Sequence, residues 1–292
     1  MSIKYSALEI AKKITAVDPS FRVPTQEQIP IIESPLAPAV VIAGAGSGKT
    51  ETMSNRVLYL VANGFATPDQ ILGLTFTRKA AGELSVRIRK RLRQLSQLPE
   101  FKHITLTSTA VTTYHSYAGK LLSEHAIRYG IDADAEPLGE AAIWQIASDV
   151  VRNWSDDSYR NDSAVSTVIK DLLGLSKFML EHQVKAADIE AIGNEMLEKL
   201  QLLGGSTNED TRAVARAMRQ RNSLLPMVDA FIEARRQSGE LSFDDQIALA
   251  ARIAQSFPDV SAIERAKYPV VLLDEYQDTS HSQVRLLSTL FG

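Results

Sequence analysis

At 292 residues, with 45% hydrophobic and 23% charged side chains, the chain has enough apolar content for one large core or two smaller ones. It has no cysteine, which excludes disulfides, thiolate metal sites, iron–sulfur clusters and a cysteine nucleophile, and its five histidines show no zinc-ligand spacing. The net charge of −3 gives no global attraction to nucleic acid, no run approaches the roughly 20 apolar residues of a membrane span, and Met1-Ser2-Ile3-Lys4-Tyr5 lacks a signal-peptide pattern, so a globular cytoplasmic protein without a membrane partner is expected.

In chain order, Thr25-x-x-Gln28 has the spacing of a capping box, although Pro30 disturbs the helix that would follow. The apolar run Ala39–Ala43 reads as a buried strand feeding the loop Gly44-Ala45-Gly46-Ser47-Gly48-Lys49-Thr50. Small residues let successive backbone N–H groups turn inward around a triphosphate, and glycines 44, 46 and 48 permit that turn. Lys49 can reach the outer phosphates, and Thr50 can offer its hydroxyl to Mg²⁺. The following helix, predicted over 49–62 and closed by Asn63-Gly64, presents its positive end to the anion. Ala43 stands where the strict pattern has glycine and keeps that position small. The bland alternative is a glycine-rich turn between a strand and a helix.

A second strand is predicted over Ile71–Phe76. Arg78, Lys79, Arg87, Arg89, Lys90, Arg91 and Arg93 then accumulate against the single acid Glu83, while Leu84, Ile88, Leu92 and Leu95 recur at helical spacing. That pattern reads first as an amphipathic helix with a solvated basic face. A third strand is expected over Ile104–Thr112. From about Ala118 to Ser242 the periodicity is helical, with breaks at Gly130-Ile131-Asp132, Pro137-Leu138-Gly139 and Gly204-Gly205-Ser206. Ser242-x-x-Asp245 and Ser280-x-x-Gln283 are further helix-start signals, so Asp244 and Asp245 are read as helix initiation.

The fourth strand, Pro269–Leu273, ends in Asp274 and Glu275. Ligands of open parallel sheets collect beyond the carboxyl ends of strands, which places both acids beside the loop at 43–50. Asp274 would then hold Mg²⁺, and Glu275 would polarise the water attacking the outer phosphorus. Two acids after a strand are otherwise an ordinary loop or helix start. The predicted architecture is α/β, a RecA-like parallel sheet of the P-loop NTPase type, interrupted by an all-helical insertion. Its segments are 1–118, 119–241 and 242–292.

Five ordered stretches resemble the superfamily 1A DNA helicases of the UvrD/Rep/PcrA family. Ala43–Thr50 matches the family's first motif, Leu74-Thr75-Phe76-Thr77-Arg78-Lys79-Ala80-Ala81 its motif Ia, and Val111-Thr112-Thr113-Tyr114-His115-Ser116-Tyr117-Ala118 its Ib. Leu241-Ser242-Phe243-Asp244-Asp245 is similar to the Asp-Phe-Asp-Asp element, and Asp274-Glu275-Tyr276-Gln277-Asp278-Thr279 to motif II. The region around Thr77-Arg78-Lys79 is also similar to actinobacterial helicase–nuclease subunits of the AdnAB type.

The resemblance implies an ATP-dependent 3′ to 5′ helicase or translocase acting on single-stranded DNA in repair or recombination, with ATP and Mg²⁺ as cofactors. It implies an adenine-reading role for Gln28. Phe76, Thr77, Arg78, Tyr114 and His115 would face single-stranded DNA, where aromatics stack on any base and arginine binds phosphate. Tyr114 reads equally well as a core aromatic. Gln277 would couple phosphate state to DNA contact. The family's motor needs a second, C-terminal RecA-like domain, whose motifs are not found after Asp278, so little or no activity is expected of these residues alone. A helicase–nuclease subunit and a non-motor nucleotide-binding interaction module are the other readings of the same residues.

Overall fold

The computed structural model describes residues 3–44, 46–129, 139–155, 163–202, 209–238 and 243–292. Ala45, the expected breaks at 130–132, 137–138 and 204–206, and the side chains of the expected cap 242–245 lie outside them. Two compact units form. The first comprises Met1–Tyr117, Phe257–Thr279 and Leu290–Gly292, and the second Ala118–Ser256 and Ser280–Thr289.

In the first unit, helix α1 (Ala7–Val17) opens with a capping box in which the Ser6 hydroxyl accepts from Glu9 N and the Glu9 carboxylate accepts from Ser6 N. Its buried residues Ala7, Ile10, Ala11 and Ile14 recur at helical spacing, and they join the core. The short helix α2 (Ile29–Ile32) carries Pro30 in its first turn, where no N–H is missed. Helix α3 (Lys49–Ala62) has the predicted bounds, with Asn63 as C-cap and Gly64 in the left-handed region at φ 71°. Asn63 also does something its sequence position hides. Its side-chain oxygen accepts from Lys4 N and Tyr5 N, while its amide donates to the Tyr5 and Tyr59 carbonyls. The N-terminal segment is thereby fastened to the end of α3.

Strand β1 (Ile71–Thr75) is buried throughout and leads to α4 (Arg78–Ser96), β2 (Ala110–Thr113) and α5 (Tyr114–His125). Helix α4 buries Leu84, Ile88, Leu92 and Leu95, as the spacing predicts. Each such aliphatic side chain contributes about 1.5–3 kcal/mol by leaving water. These residues meet Val57, Leu58, Leu60 and Val61 of α3 in a core completed by Phe101 and Val270.

Later in the chain come α6 (Glu140–Arg152), α7 (Val165–His182), α8 (Ala186–Leu202), α9 (Glu209–Ser238) and α10 (Phe243–Ser256). They are followed by α11 (Pro258–Lys267), β3 (Val270–Leu273) and α12 (His281–Phe291). Among the described residues the second unit is helical, and it has its own core of Ala147, Ile169, Leu172, Leu224, Val228 and Phe231. Ser280 and Gln283 form the expected cap of α12, since Ser280 N donates to the Gln283 side chain and Gln283 N to the Ser280 hydroxyl.

The sheet is parallel, in the order β2-β1-β3. Leu74 lies level with Thr112 of β2 and with Leu273 of β3, so the next residues of all three strands emerge along one edge. Two strand expectations are corrected. Residues 39–43 form no strand, and Val40, Val41 and Ile42 are 78, 49 and 95% exposed. Their apolar pattern suits a sheet interior, but among the described residues β3 is paired on the β1 side alone, and no ladder hydrogen bonds reach this segment. The third strand is confined to Ala110–Thr113; residues 104–109 run outside the register that pairs Leu72 with Ala110.

Candidate nucleotide-binding site

The phosphate loop is shaped by two backbone positions. Gly46 has φ 78° and Gly48 has φ 88°, in the left-handed region that side chains disfavour. Gly48 is the N-cap of α3, so the first free N–H groups of that helix follow it directly. Gln28 braces the loop from outside: its Oε1 accepts from Thr25 N at 3.2 Å and its Nε2 donates to the Ser47 carbonyl at 3.1 Å. A Cβ on Gly48 would stand 2.9 Å from that Nε2. The capping-box pairing expected at Thr25-x-x-Gln28 is thus present on its Gln28 side, and the same amide also reaches the loop.

The acids arrive through the register. β3 ends at Leu273, and Asp274 N donates to the Leu74 carbonyl at 2.9 Å, fixing Asp274 at the end of β1. Glu275 adopts φ 50°, uncommon for a residue with a Cβ, and its N–H donates to Asp274 Oδ1. Its carboxylate lies 3.6 Å from Lys49 Nζ and accepts a hydrogen bond from Gln277. Residues distant in sequence therefore share one site.

Burial pushes the Asp274 carboxyl above the ordinary carboxylate range, and the adjacent Glu275 adds to the rise, while the Glu275 N–H and Lys49 oppose it. A partly buried acid pair of this kind is what a divalent cation would relieve. Among the described residues no group of three or more His, Asp or Glu side chains is assembled for a metal. One carboxylate, the Thr50 hydroxyl and phosphate oxygens are a donor set that suits Mg²⁺, which retains several non-protein ligands.

At the same sheet edge, Phe76 follows β1 and is half-buried. Tyr114, after β2, is buried at 3% exposure, with its ring centroid 5.0 Å from that of Phe76. The Tyr114 hydroxyl donates to the Asp274 carbonyl at 3.4 Å, and desolvation raises its pKa. Thr77 accepts from Ala80 N as the N-cap of α4; Arg78 is exposed and His115 half-buried. Arg78 is thus open to solvent, Phe76 is partly covered, and Tyr114, packed against Phe76, is buried.

Sequence reasoning missed two supporting residues, Arg56 and Glu51. Arg56 donates to the carbonyls of Ile32, Ser34 and Pro35 and holds the segment after α2. Glu51 of α3 receives Arg87 and Arg91, and Arg91 also lies 4.1 Å from the Phe21 ring centroid. Gln277, already singled out in the sequence, donates to the Glu275 carboxylate. Each sits within a motif-bearing segment, but its partner is identified only by the fold.

A parallel sheet with a glycine-shaped anion loop and a facing acid pair defines an α/β P-loop nucleotide-binding protein. The UvrD/REP helicase N-terminal domain model matches residues 24–292, and the chain belongs to that family. It is 31% identical over 269 residues to the ATP-dependent DNA helicase UvrD1 of Mycobacterium tuberculosis, a match covering 92% of this chain and 30% of the relative. It is 28% identical to the protein of the same name from Mycobacterium leprae, with the same coverage. Against the ATP-dependent DNA helicase PcrA of Staphylococcus aureus the identity is 25%, over 90% of this chain and 31% of the relative. The chain thus spans about a third of the length of these relatives.

Proposed function

We propose that this chain is the ATP-binding part of an ATP-dependent DNA helicase or translocase that moves 3′ to 5′ on single strands in DNA repair or recombination in the cytoplasm. The observation that carries the reading is the approach of Lys49 Nζ to the Glu275 carboxylate within one compact unit. Ala43–Thr50 bind the phosphates, Lys49 neutralises the outer ones, and Gln28 reads adenine. Thr50 and Asp274 hold Mg²⁺, which when bound supplies charge neutralisation at the transferring phosphoryl group. Glu275 orients and polarises the attacking water. Phe76, Thr77, Arg78 and His115 take the single strand at the sheet edge, with Tyr114 packed against Phe76.

Residues 1–118 and 242–292 make the RecA-like domain, and 119–241 an all-helical insertion. A second RecA-like domain of the same protein supplies the arginines that complete the site, a contribution of about 10³–10⁵ in rate. The 292-residue chain therefore binds Mg²⁺–ATP and single-stranded DNA with little turnover. Fluorescent-nucleotide titration tests this: Lys49→Ala weakens binding about 10- to 100-fold. Equal affinity in wild type and variant, or robust DNA-stimulated ATPase by this chain, would overturn the reading.

A further inference from the structure

The seven basic residues of α4 divide into two sets. Arg87 and Arg91 turn inward to Glu51 and hold α4 against α3. Arg78, Lys79, Arg89, Lys90 and Arg93 are exposed. At 3.6 residues per turn, those five fall within about a third of the helix circumference. Between them on that face lie Gly82 and Val86, the latter 64% exposed. Glu83 is the acid nearest the stripe on this helix, and its pairing with Lys79 at 4.0 Å joins two largely exposed side chains, an arrangement that contributes little. Lys90 feels Asp18, whose carboxylate is engaged by Ser20 and Gln94. Arg78, Arg89 and Arg93 have no ion-pair partner among the described residues.

We propose that this outward face of α4 is a phosphate-binding track for single-stranded DNA running on from the sheet edge, an inference that rests on the function proposed above. The stripe starts at Arg78, directly after Phe76 and Thr77, and continues for about 22 Å to Arg93 at 1.5 Å per residue. It therefore begins at the strand-end surface with Arg78 and Lys79, and its second group, Arg89, Lys90 and Arg93, starts about 15 Å further along the same face, far enough to meet later phosphates of the same strand. Arginine forks match phosphate oxygens, and the exposed Val86 offers an apolar contact to sugar or base. The whole chain carries a net charge of −3, so this concentration of cations is a local feature. An acidic protein partner would need no such start at the sheet edge.

The experiment measures binding of labelled oligothymidylates of about 6 and about 12 nucleotides, a range of typical single-strand site sizes. It compares the wild-type chain with the triple variant Arg89→Glu, Lys90→Glu, Arg93→Glu, over about 50 to 200 mM salt. A charge-neutral version, with glutamine at the three positions, and circular dichroism guard against misfolding. In wild type the longer strand binds more tightly, with a salt slope steeper by about 2, reflecting about three extra phosphate contacts. Both triple variants lose that increment and bind the shorter strand within about twofold of wild type. Retention of the increment overturns the track, as does stripe-dependent binding of a blunt duplex or an acidic polypeptide without it. Failure of wild type to bind even the shorter strand would instead overturn the proposed function.

Discussion

At the residue scale the phosphate loop has little tolerance. Gly48 combines φ 88° with a neighbour that would stand 2.9 Å from any Cβ. Gly48→Ala must therefore strain the backbone and displace the Gln28 amide together. Left-handed backbone costs a non-glycine residue about 1–2 kcal/mol, so calorimetric titration is expected to show nucleotide affinity reduced about 10-fold or more. Asp274 gives a prediction with a definite sign. Its folded pKa is raised, so the ionised form is the costly one: the penalty is absent below the ordinary carboxylate value of about 3.9 and fully present above the raised value. Asp274→Asn is accordingly more stable than wild type at neutral pH, and the advantage shrinks as the pH falls toward about 4. Urea unfolding across that range checks it, and an advantage that grows on acidification would contradict it. Both residues are singled out by their spacing in the sequence. The brace from Gln28 to Ser47 and the burial of Asp274 are not, because each depends on a segment remote in the chain.

At the element scale, α3 and α4 are coupled through Glu51, whose carboxylate is held between Arg87 and the buried Arg91. Removing one partner strands a guanidinium that is largely out of water and already stacked on Phe21. Glu51→Ala is expected to lower the stability of the first unit by about 3 kcal/mol, read by chemical denaturation. The double variant with Arg91→Leu recovers part of the loss, because it removes the orphaned charge. The helical periodicity of α4 was readable, including its apolar face and the predicted basic surface. The division of its cations into a structural pair and an exposed stripe was not, since composition treats all seven alike. The segment 39–43 shows the converse limit. Apolar content predicted a strand, but strand formation needs a partner edge, and here none pairs with it.

At the scale of the whole molecule the two units have separate cores, one built around α3, α4 and β1 and the other around α6, α7 and α9. The residues proposed to hold the nucleotide all lie in the first. Ligand binding stabilises only the part that binds, so Mg²⁺–ATP at about 100 times its Kd raises the stability of that unit by about 2.7 kcal/mol. Scanning calorimetry is expected to show one transition moving upward while the other stays in place. A shift of both by the same amount would contradict independent unfolding.

The sequence alone determined the local features on which the proposed chemistry rests: the glycine loop with Lys49 and Thr50, the acids closing the last strand, the bounds of α3, and the change to helical periodicity near Ala118. These are properties of spacing, and spacing is local. Only the tertiary structure decided that Lys49 faces Glu275, that Tyr114 packs against Phe76 and touches the Asp274 backbone, and which cations of α4 point to water. Those facts follow from strand register and helix packing, which join residues that no local pattern relates.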